Sequence, residues 1–241
     1  MRTVVVGDIH GGLRALHQIL EKVVPQQEDV FVFLGDYVDG WSESPETISF
    51  LNDFSKEQEC VFLMGNHDEL LYKFLNYDED NPMWLAHGGK STMDGYARLS
   101  QEEIERHIHF LERCKNFYID PENRLYLHAG FTNMHGPQYE YYPNMTYWDR
   151  TLWEMVCTMD HDMPRDHKRY PKRLKLFSEI YIGHTPVTRI GKTVPVNFAN
   201  VWNVDTGAAF KGSLSAIDAS TKEVWQSDPV WTLYPGEKGR N

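Results

Sequence analysis

The sequence predicts an α/β (α+β) chain in which two packed, mixed β-sheets are flanked by helices. Two observations support this fold class. The first half begins as a β-α-β-α-β pattern, in which short apolar runs alternate with amphipathic helical segments. The second half is mostly strand-like, and strands with one apolar face need a second layer to cover it. At 241 residues the chain fits a single domain over 1–241.

Three strands and three helices alternate at the start of the chain. Each strand is rich in β-branched or aromatic residues and is followed directly by glycine. The second helix has Pro45 at its first position, with Ser44 as its expected N-cap. The predicted strands cover 3–6, 30–34 and 60–64, and the predicted helices cover 13–23, 45–54 and 69–75.

The pattern changes from helix to strand at about residue 117. Residues 76–116 are mainly helical in pattern, with a capping box at 100–103. Beyond them we expect a β-hairpin of 117–120 with 124–129, and further strands at 179–182, 201–204, 214–218 and 224–226. Residues 131–177 carry aromatics, prolines and mixed charges without a clear period. Because long segments of this kind are often functional, we expect a lid or substrate loop there.

Composition argues against several classes of partner. The net charge of −11 is opposite to what a nucleic acid polymer or an anionic membrane would attract. The three cysteines are widely spaced, so they predict neither a disulfide framework nor a CxxC zinc site. The first residues, MRTVVVGD, lack the apolar run of a signal peptide. We therefore expect a cytoplasmic protein.

Polar side chains follow all three early strands at the point where each strand ends. Because ligands bind at the carboxyl ends of strands in open α/β sheets, these side chains are expected to form one site. His128 and His184 also end strand-like runs and can reach the same edge. The strand-end side chains of the first three strands are Asp8, His10, Asp36, Asp39, Asn66, His67 and Asp68.

This donor set predicts a pair of divalent metal ions. Imidazole together with carboxylate oxygen suits Mn, Fe or Zn better than Ca or Mg, and we expect Mn. Asp36 would bridge the two ions, as a carboxylate can between metals about 3.5–4 Å apart. The expected ligands of one ion are Asp8 and His10, and those of the other are Asn66, His128 and His184.

His67 adjoins an expected ligand without being needed as one. It could donate a proton to the leaving-group oxygen, and Asp39 would orient and charge its imidazole. With this pair and the metal ions, the reaction needs no side-chain nucleophile.

Taken in order, these motifs resemble those of the phosphoprotein phosphatase (PPP) family of metallophosphoesterases, in its small bacterial and phage form. The motifs are GDIHG at 7–11, GDYVDG at 35–40, GNHD at 65–68, HAG at 128–130 and GHT at 183–185, and the segment NVDTGAAFKGSLSAID at 203–218 is also similar. The resemblance implies the calcineurin-like metallophosphoesterase fold, a dinuclear metal centre and hydrolysis of phosphomonoesters by a metal-bound hydroxide.

One position departs from the family pattern. The family usually reads GDxVDRG, and its arginine binds the substrate phosphate, whereas this chain has Gly40 and Trp41 after Asp39. The segment YWDR resembles the part of the family that carries a second phosphate-binding arginine, which predicts that Arg150 binds substrate. Lys90, in the stretch HGGKS, is a further candidate for a phosphate contact.

Three functions remain open at this point. The resemblance favours a serine/threonine protein phosphatase that acts on a phosphorylated protein or peptide, or on a small phosphoester. The alternative is a hydrolase of diadenosine tetraphosphate or another nucleotide phosphoanhydride, whose bases could stack on the aromatic segment 139–153. A third is a metal-bound binding module with weak catalysis, which the missing arginine would suggest.

Overall fold

The computed structural model describes residues 2–77 and 81–240, in which ten strands form two five-stranded sheets. The strands are β1 Thr3–Val6, β2 Val30–Phe33, β3 Glu59–Phe62, β4 Tyr118–Ile119, β5 Arg124–Tyr126, β6 Glu179–Ile182, β7 Val196–Phe198, β8 Val201–Asn203, β9 Ser213–Asp218 and β10 Val224–Pro229. The helices are α1 Leu13–Val23, α2 Ser44–Phe54, α3 Asn66–Tyr77, α4 Pro82–Trp84, α5 Lys90–Tyr96, α6 Gln101–Glu112, α7 Met145–Trp148, α8 Thr151–Thr158, α9 Lys172–Lys175 and α10 Val230–Leu233. A π-helical turn, Leu85–Gly89, joins α4 to α5, and 3-10 turns occur at Pro137–Tyr139 and Val187–Ile190.

The first sheet has the strand order β10-β9-β1-β2-β3. Strands β1, β2 and β3 are parallel, β9 is antiparallel to β1, and β10 is antiparallel to β9. The carboxyl ends of the three parallel strands therefore lie along one edge of the sheet, where the loops after them meet.

The second sheet has the order β4-β5-β6-β8-β7. Its three inner strands are parallel, and β4 and β7 are antiparallel strands at the two edges. Because the inner strands are parallel, the residues that follow β5 and β6 also lie together at one end of this sheet. His128 and His184 are in these two segments.

Alternation along the strands divides the apolar side chains between two layers. In β1, Val5 belongs to the cluster between the sheets, while Val4 and Val6 pack with the helices on the outer face. The second sheet contributes Tyr126 and Tyr181 to the inner layer, with ring centroids 5.1 Å apart. Because side chains alternate across a strand, each sheet buries both of its faces.

The observed elements confirm the predicted fold class, and most boundaries agree within a few residues. The predicted capping box is present, with the Ser100 side chain accepting from the Glu103 amide. The predicted cap of α2 is wrong, because Ser44 is inside the helix and its hydroxyl accepts from the Asp39 amide at 3.1 Å. Helix α3 begins at Asn66, three residues before the predicted start. The edge strand β7 was not predicted.

The segment 131–177 contains more regular structure than its sequence predicts. It includes α7, α8 and α9, and the apolar side of α8 packs on the outer face of the second sheet through Leu152, Trp153 and Val156. Burial of these side chains favours helix in a segment whose sequence lacks a long apolar period. Its role as a lid or substrate loop remains a prediction.

Residues 76–116 are mainly helical, as predicted, over the part that is described. Three residues within this range, 78–80, lie outside the described residues. Across 2–77 and 81–240, every helix is too short or too polar to cross a lipid bilayer.

Candidate metal centre and active site

The segments that follow β1, β2, β3, β6 and β8 line one cleft of about 380 Å³, open solvent at its mouth included. Four of the predicted site residues have left-handed backbone conformations: φ is 53° at His10, 53° at Asp36, 71° at Asp39 and 69° at His184. Side chains other than glycine rarely adopt this region, and such strain concentrates at functional sites. The fold therefore holds these loops in conformations that their sequences alone would disfavour.

The first group of predicted ligands comprises Asp8, His10 and Asp36, all of them buried. His10 Nε2 lies 3.5 Å from Asp36 Oδ2 and 3.9 Å from Asp8 Oδ2. Its other nitrogen, Nδ1, is 2.8 Å from the Asp39 carbonyl oxygen, which can accept a hydrogen bond only from a protonated Nδ1. That contact leaves the lone pair of Nε2 facing the two carboxylates, as metal ligation requires.

The second group comprises Asp36, Asn66, His128 and His184. His128 Nε2 lies 3.4 Å from Asp36 Oδ2 and 3.3 Å from Asn66 Oδ1, and its Nδ1 is held by the Leu34 carbonyl at 2.9 Å. His184 Nδ1 lies 2.8 Å from the same amide oxygen. Asp36 thus lies between the two groups and is common to both.

The two groups fit divalent metal ions on two structural grounds. Within each of the two groups of histidine and carboxylate ligands, the ligand atoms lie within 4.8 Å of one another. Among the described residues, Asp8 Oδ1 is buried without a hydrogen-bond partner, which is costly unless a cation binds there. The backbone leaves room for this oxygen because residue 183 is glycine; a Cβ atom there would lie 2.0 Å from it.

The carboxylates and imidazoles of the cluster shift one another's pKa values; burial lowers the pKa of His128, but the charges of Asp36 and Asp8 outweigh it and raise this pKa to about 10. Burial, together with the negative charge of Asp205, raises the pKa of Asp8 well above its usual value. Burial also acts on Asp36, but the nearby His128 and His67 outweigh it and hold the pKa of Asp36 well below the usual range. For His10, burial lowers the pKa of the imidazole, which keeps it in the neutral form that binds metals.

His67 and Asp39 form a buried pair beside the cluster. His67 Nδ1 and Asp39 Oδ2 are 2.5 Å apart, and the indole Nε1 of Trp84 donates to the same carboxylate oxygen, also at 2.5 Å. Asp39 is completely buried. Because Asp39 engages Nδ1, the free nitrogen of His67 is Nε2, and His67 lines the cleft.

Positive charge surrounds the mouth of the cleft. The guanidinium groups of Arg150, Arg189 and Arg240 all line it. Arg150 Nε lies 3.2 Å from His184 Nε2, and among the described residues no hydrogen bond engages the terminal nitrogens of Arg150, which can therefore bind an anion. Lys90 pairs instead with Asp94 on its own helix and lines a different cavity. The predicted role of Arg150 is therefore compatible with its position, whereas the suggestion for Lys90 is not.

Several residues at the site had no role assigned from sequence. The Asp68 carboxylate accepts from the backbone amides of Asp36, Tyr37 and Gly65 at 2.7–2.9 Å, so it ties two of the loops together. The motif GNHD predicted that Asp68 lies near the site, but it did not predict that Asp68 binds these backbone amides. Trp84 and Arg240 lie far along the chain from the motifs they contact, and no local pattern identifies them.

Comparisons with known proteins identify a family and a shared fold. The family described as calcineurin-like phosphoesterase matches residues 1–207. The asymmetrical bis(5'-nucleosyl)-tetraphosphatase PrpE of Oceanobacillus iheyensis is 26% identical over 238 residues, covering 92% of this chain and 90% of that protein. Serine/threonine-protein phosphatase 1 of Salmonella typhimurium is 27% identical over 214 residues, 88% of each chain. A metallophosphoesterase structure from Sphaerobacter thermophilus superposes with a TM-score of 0.55 at 17% identity, covering 95% of this chain and 89% of that one, which shows a shared fold.

Proposed function

This chain belongs to the calcineurin-like phosphoesterase family, and from that premise we propose that it hydrolyses phosphomonoesters with two divalent metal ions. The family membership makes it a metallophosphoesterase and a hydrolase. We propose in addition the number and identity of the ions, the residues that bind them and the substrate. We propose Mn as the metal, with Fe or Zn as alternatives, and phosphoserine or phosphothreonine in proteins as the substrate.

The observation that carries the proposal is the position of Asp36 between two sets of ligands. Its carboxylate oxygen Oδ2 is 3.5 Å from the His10 imidazole on one side and 3.4 Å from the His128 imidazole on the other. Asp8 would complete the first site, and Asn66 and His184 the second. A pair of divalent ions bound there would neutralise phosphoryl charge and make a water molecule nucleophilic at neutral pH.

The remaining side chains would bind the phosphate and move a proton. Arg150, which lines the cleft, would hold a phosphoryl oxygen, because planar guanidinium donors match phosphate geometry. His67 would protonate the leaving-group oxygen from Nε2, and Asp39 would stabilise the charged imidazole. With these roles assigned, the reaction needs no side-chain nucleophile.

Release of phosphate from para-nitrophenyl phosphate tests the proposed chemistry. We expect turnover in the presence of Mn and none after the metal is removed. Asp36→Asn should lose turnover because it removes the shared ligand charge, and it should do so at Mn concentrations that saturate the wild type. Full activity of metal-stripped Asp36→Asn protein would refute the proposal, while metal-dependent turnover of the wild type would dismiss a binding module without catalysis.

A second candidate substrate is a dinucleoside tetraphosphate. The observation in its favour is a row of exposed aromatic side chains in the segment before Arg150: Tyr139, Tyr141, Tyr142 and Trp148. Trp148 donates to Glu69 at 2.8 Å, close to the start of α3, so an aromatic surface lies near the site and could stack a base. The name of the Oceanobacillus iheyensis relative gives the same substrate class.

Relative turnover decides between the two substrates. We expect kcat/KM for a phosphoserine or phosphothreonine peptide to exceed that for diadenosine tetraphosphate. A large preference for the dinucleotide, together with its loss in Trp148→Ala, would overturn the choice of substrate and leave the proposed metal chemistry in place.

A further inference from the structure

Arg240, the second-to-last residue of the sequence, reaches the active-site cleft from a segment far along the chain from the strand-end motifs. It lines the cleft together with His10, Asp36 and Arg150. Its side chain packs against two adjoining glycines: a Cβ atom would lie 3.4 Å from Arg240 Cγ if built on Gly40, and 3.1 Å if built on Gly88. Both glycines have positive φ, +124° and +110°, in which other residues would be strained. The chain therefore keeps a slot open for this arginine.

The residue after Gly40 anchors the segment that carries Arg240. Trp41 is completely buried, its indole Nε1 donates to the Ala208 carbonyl at 2.8 Å, and its ring stacks on Tyr234 with centroids 5.3 Å apart. The neighbouring Ser42 donates to Glu237 from both its amide and its hydroxyl, at 3.0 and 2.8 Å. The C-terminal segment is thus bound to the loop that follows Asp39.

The backbone at Arg240 is also held in place by neighbouring residues. Its amide donates to the Ala209 carbonyl at 2.9 Å, and its guanidinium carbon lies 5.4 Å from the centre of the Phe210 ring. Gly239 touches the Trp41 ring so closely that a Cβ atom there would lie 2.8 Å from it. A guanidinium held in this way loses little additional entropy when it binds an anion.

One nitrogen of the Arg240 guanidinium has spare hydrogen-bonding capacity. Among the described residues, its Nε is buried and has no hydrogen-bond partner. Arg150 and Arg189 line the same cleft, so three like charges repel one another across it. A buried donor without a partner and a cluster of like charges are both relieved by a bound anion.

We propose that Arg240 is a substrate-binding residue that holds a phosphoryl oxygen opposite Arg150, and that Gly40 and Trp41 form its slot and anchor. The proposal rests on the phosphoesterase function proposed above. It explains how a chain with glycine after Asp39 can still present two arginines to a phosphate group.

Inorganic phosphate is the probe that tests this assignment. In the Mn-loaded protein, we expect Arg240→Gln to raise the inhibition constant of phosphate by about 10- to 100-fold, the effect of losing a charge-assisted hydrogen bond in a partly buried site. KM for para-nitrophenyl phosphate should rise in parallel. Arg240→Lys should give an intermediate value, since lysine keeps the charge but not the planar pair of donors. Arg106→Gln, which removes an exposed arginine on α6, should match the wild type.

Gly239→Ala provides a second variant that leaves the guanidinium intact. The added methyl group would meet the Trp41 ring and the Ala209 carbonyl oxygen, so Arg240 would be displaced from the slot. We expect weaker phosphate inhibition than in the wild type. If this variant and Arg240→Gln lower Tm but leave the inhibition constant of phosphate within about twofold of the wild type, Arg240 only fastens the C-terminal segment and the assignment is wrong.

A measurement without turnover separates this assignment from the proposed function. Phosphate that binds the folded protein raises Tm, and the rise should be present in the wild type and in Arg106→Gln, and reduced in Arg240→Gln, at constant ionic strength. An equal rise in all three proteins would overturn the assignment even if the wild type is an active phosphatase. An inactive wild type whose phosphate-induced rise is lost in Arg240→Gln would refute the proposed function and support the assignment.

Discussion

Asp39 is completely buried and meets two strong hydrogen-bond donors. The His67 imidazole and the Trp84 indole both contact Oδ2, and among the described residues the other oxygen, Oδ1, is buried without a partner. A carboxylate in this position fixes the orientation of the His67 ring through Nδ1 and leaves Nε2 for the cleft. The proposed role in proton donation requires this orientation.

His67→Gln tests this role at the scale of one residue. We expect kcat to fall by about 10²- to 10⁴-fold with a phosphoserine peptide, whose alkoxide leaving group needs a proton. The loss should be smaller with para-nitrophenyl phosphate, because nitrophenolate leaves without protonation. Steady-state kinetics on both substrates make the measurement.

The control for His67→Gln is its Mn content, which should equal that of the wild type if His67 is not a ligand. Equal losses on the two substrates would contradict a role in proton donation, and a loss of bound Mn would point to ligation instead.

For single residues, the sequence predicted only those site residues that belong to a local motif. The carboxylates and imidazoles at strand ends are recognisable because each follows an apolar run, as Asp8 follows β1 and Asp36 follows β2. Arg240 and Trp84 were not recognisable, because their contacts with Gly40 and Asp39 join distant parts of the chain and depend on how segments pack.

Helix α6 contains a buried histidine that links three helices. His107 Nε2 is 2.8 Å from the Ser49 hydroxyl of α2, and its Nδ1 is 2.9 Å from the Tyr96 hydroxyl at the end of α5. Burial, helped by the charge of Arg106, lowers the pKa of His107 to about 4. The histidine is therefore neutral in the folded protein at neutral pH.

This pKa predicts a pH-dependent contribution to stability. The unfolded chain binds a proton at His107 near pH 6.5 and the folded protein only near pH 4, so the free energy of unfolding should fall as pH decreases through this window. The contribution is about 3 kcal/mol at most, from about 1.4 kcal/mol per unit of pKa. Urea unfolding from pH 7.5 to 4 measures it.

His107→Gln is the matched variant, since both proteins share every other titrating group. The difference in unfolding free energy between them should shrink or reverse as pH falls below 6.5. Curves that remain parallel down to pH 4 would show that His107 does not titrate in this way.

A second prediction for α6 concerns its capping box. Ser100→Ala removes the hydroxyl that accepts from the Glu103 amide, and we expect a loss of about 1 kcal/mol in the free energy of unfolding. Activity should be unchanged, because α6 packs on the outer face of the first sheet. A loss below the error of urea unfolding would show that solvent replaces the cap at this end of the helix.

Elements were predictable where one local signal dominates. The strands β1 and β2 and the helix α1 were found because their periods are unbroken, and the start of α6 because its cap is a local sequence feature. The start of α3 was missed because the loop residues Asn66 and His67 have no helical signature, although both belong to the first turn. Helix α8 was missed because its stability comes from burial against the second sheet.

For the whole molecule, the site depends on the way in which the two sheets are stacked. The first sheet supplies Asp8, His10, Asp36 and Asn66 from the ends of parallel strands, whereas His128 and His184 come from the second. The layer between the sheets, which includes Val5, Val32, Tyr126 and Tyr181, sets the distance between these two sets of ligands. The sequence predicted two packed sheets but not how they are stacked, because strand order depends on contacts between distant segments.

The account as a whole rests on Asp36 as the ligand that two metal ions share. Its most direct test is the metal content of the dialysed protein by elemental analysis, with Asp53→Asn, an exposed carboxylate of α2, as the control. We predict two Mn ions per chain in the wild type and in Asp53→Asn, and less than one in Asp36→Asn, because removing a shared ligand weakens both sites. A single ion in the wild type, or two ions retained in Asp36→Asn, would contradict the account.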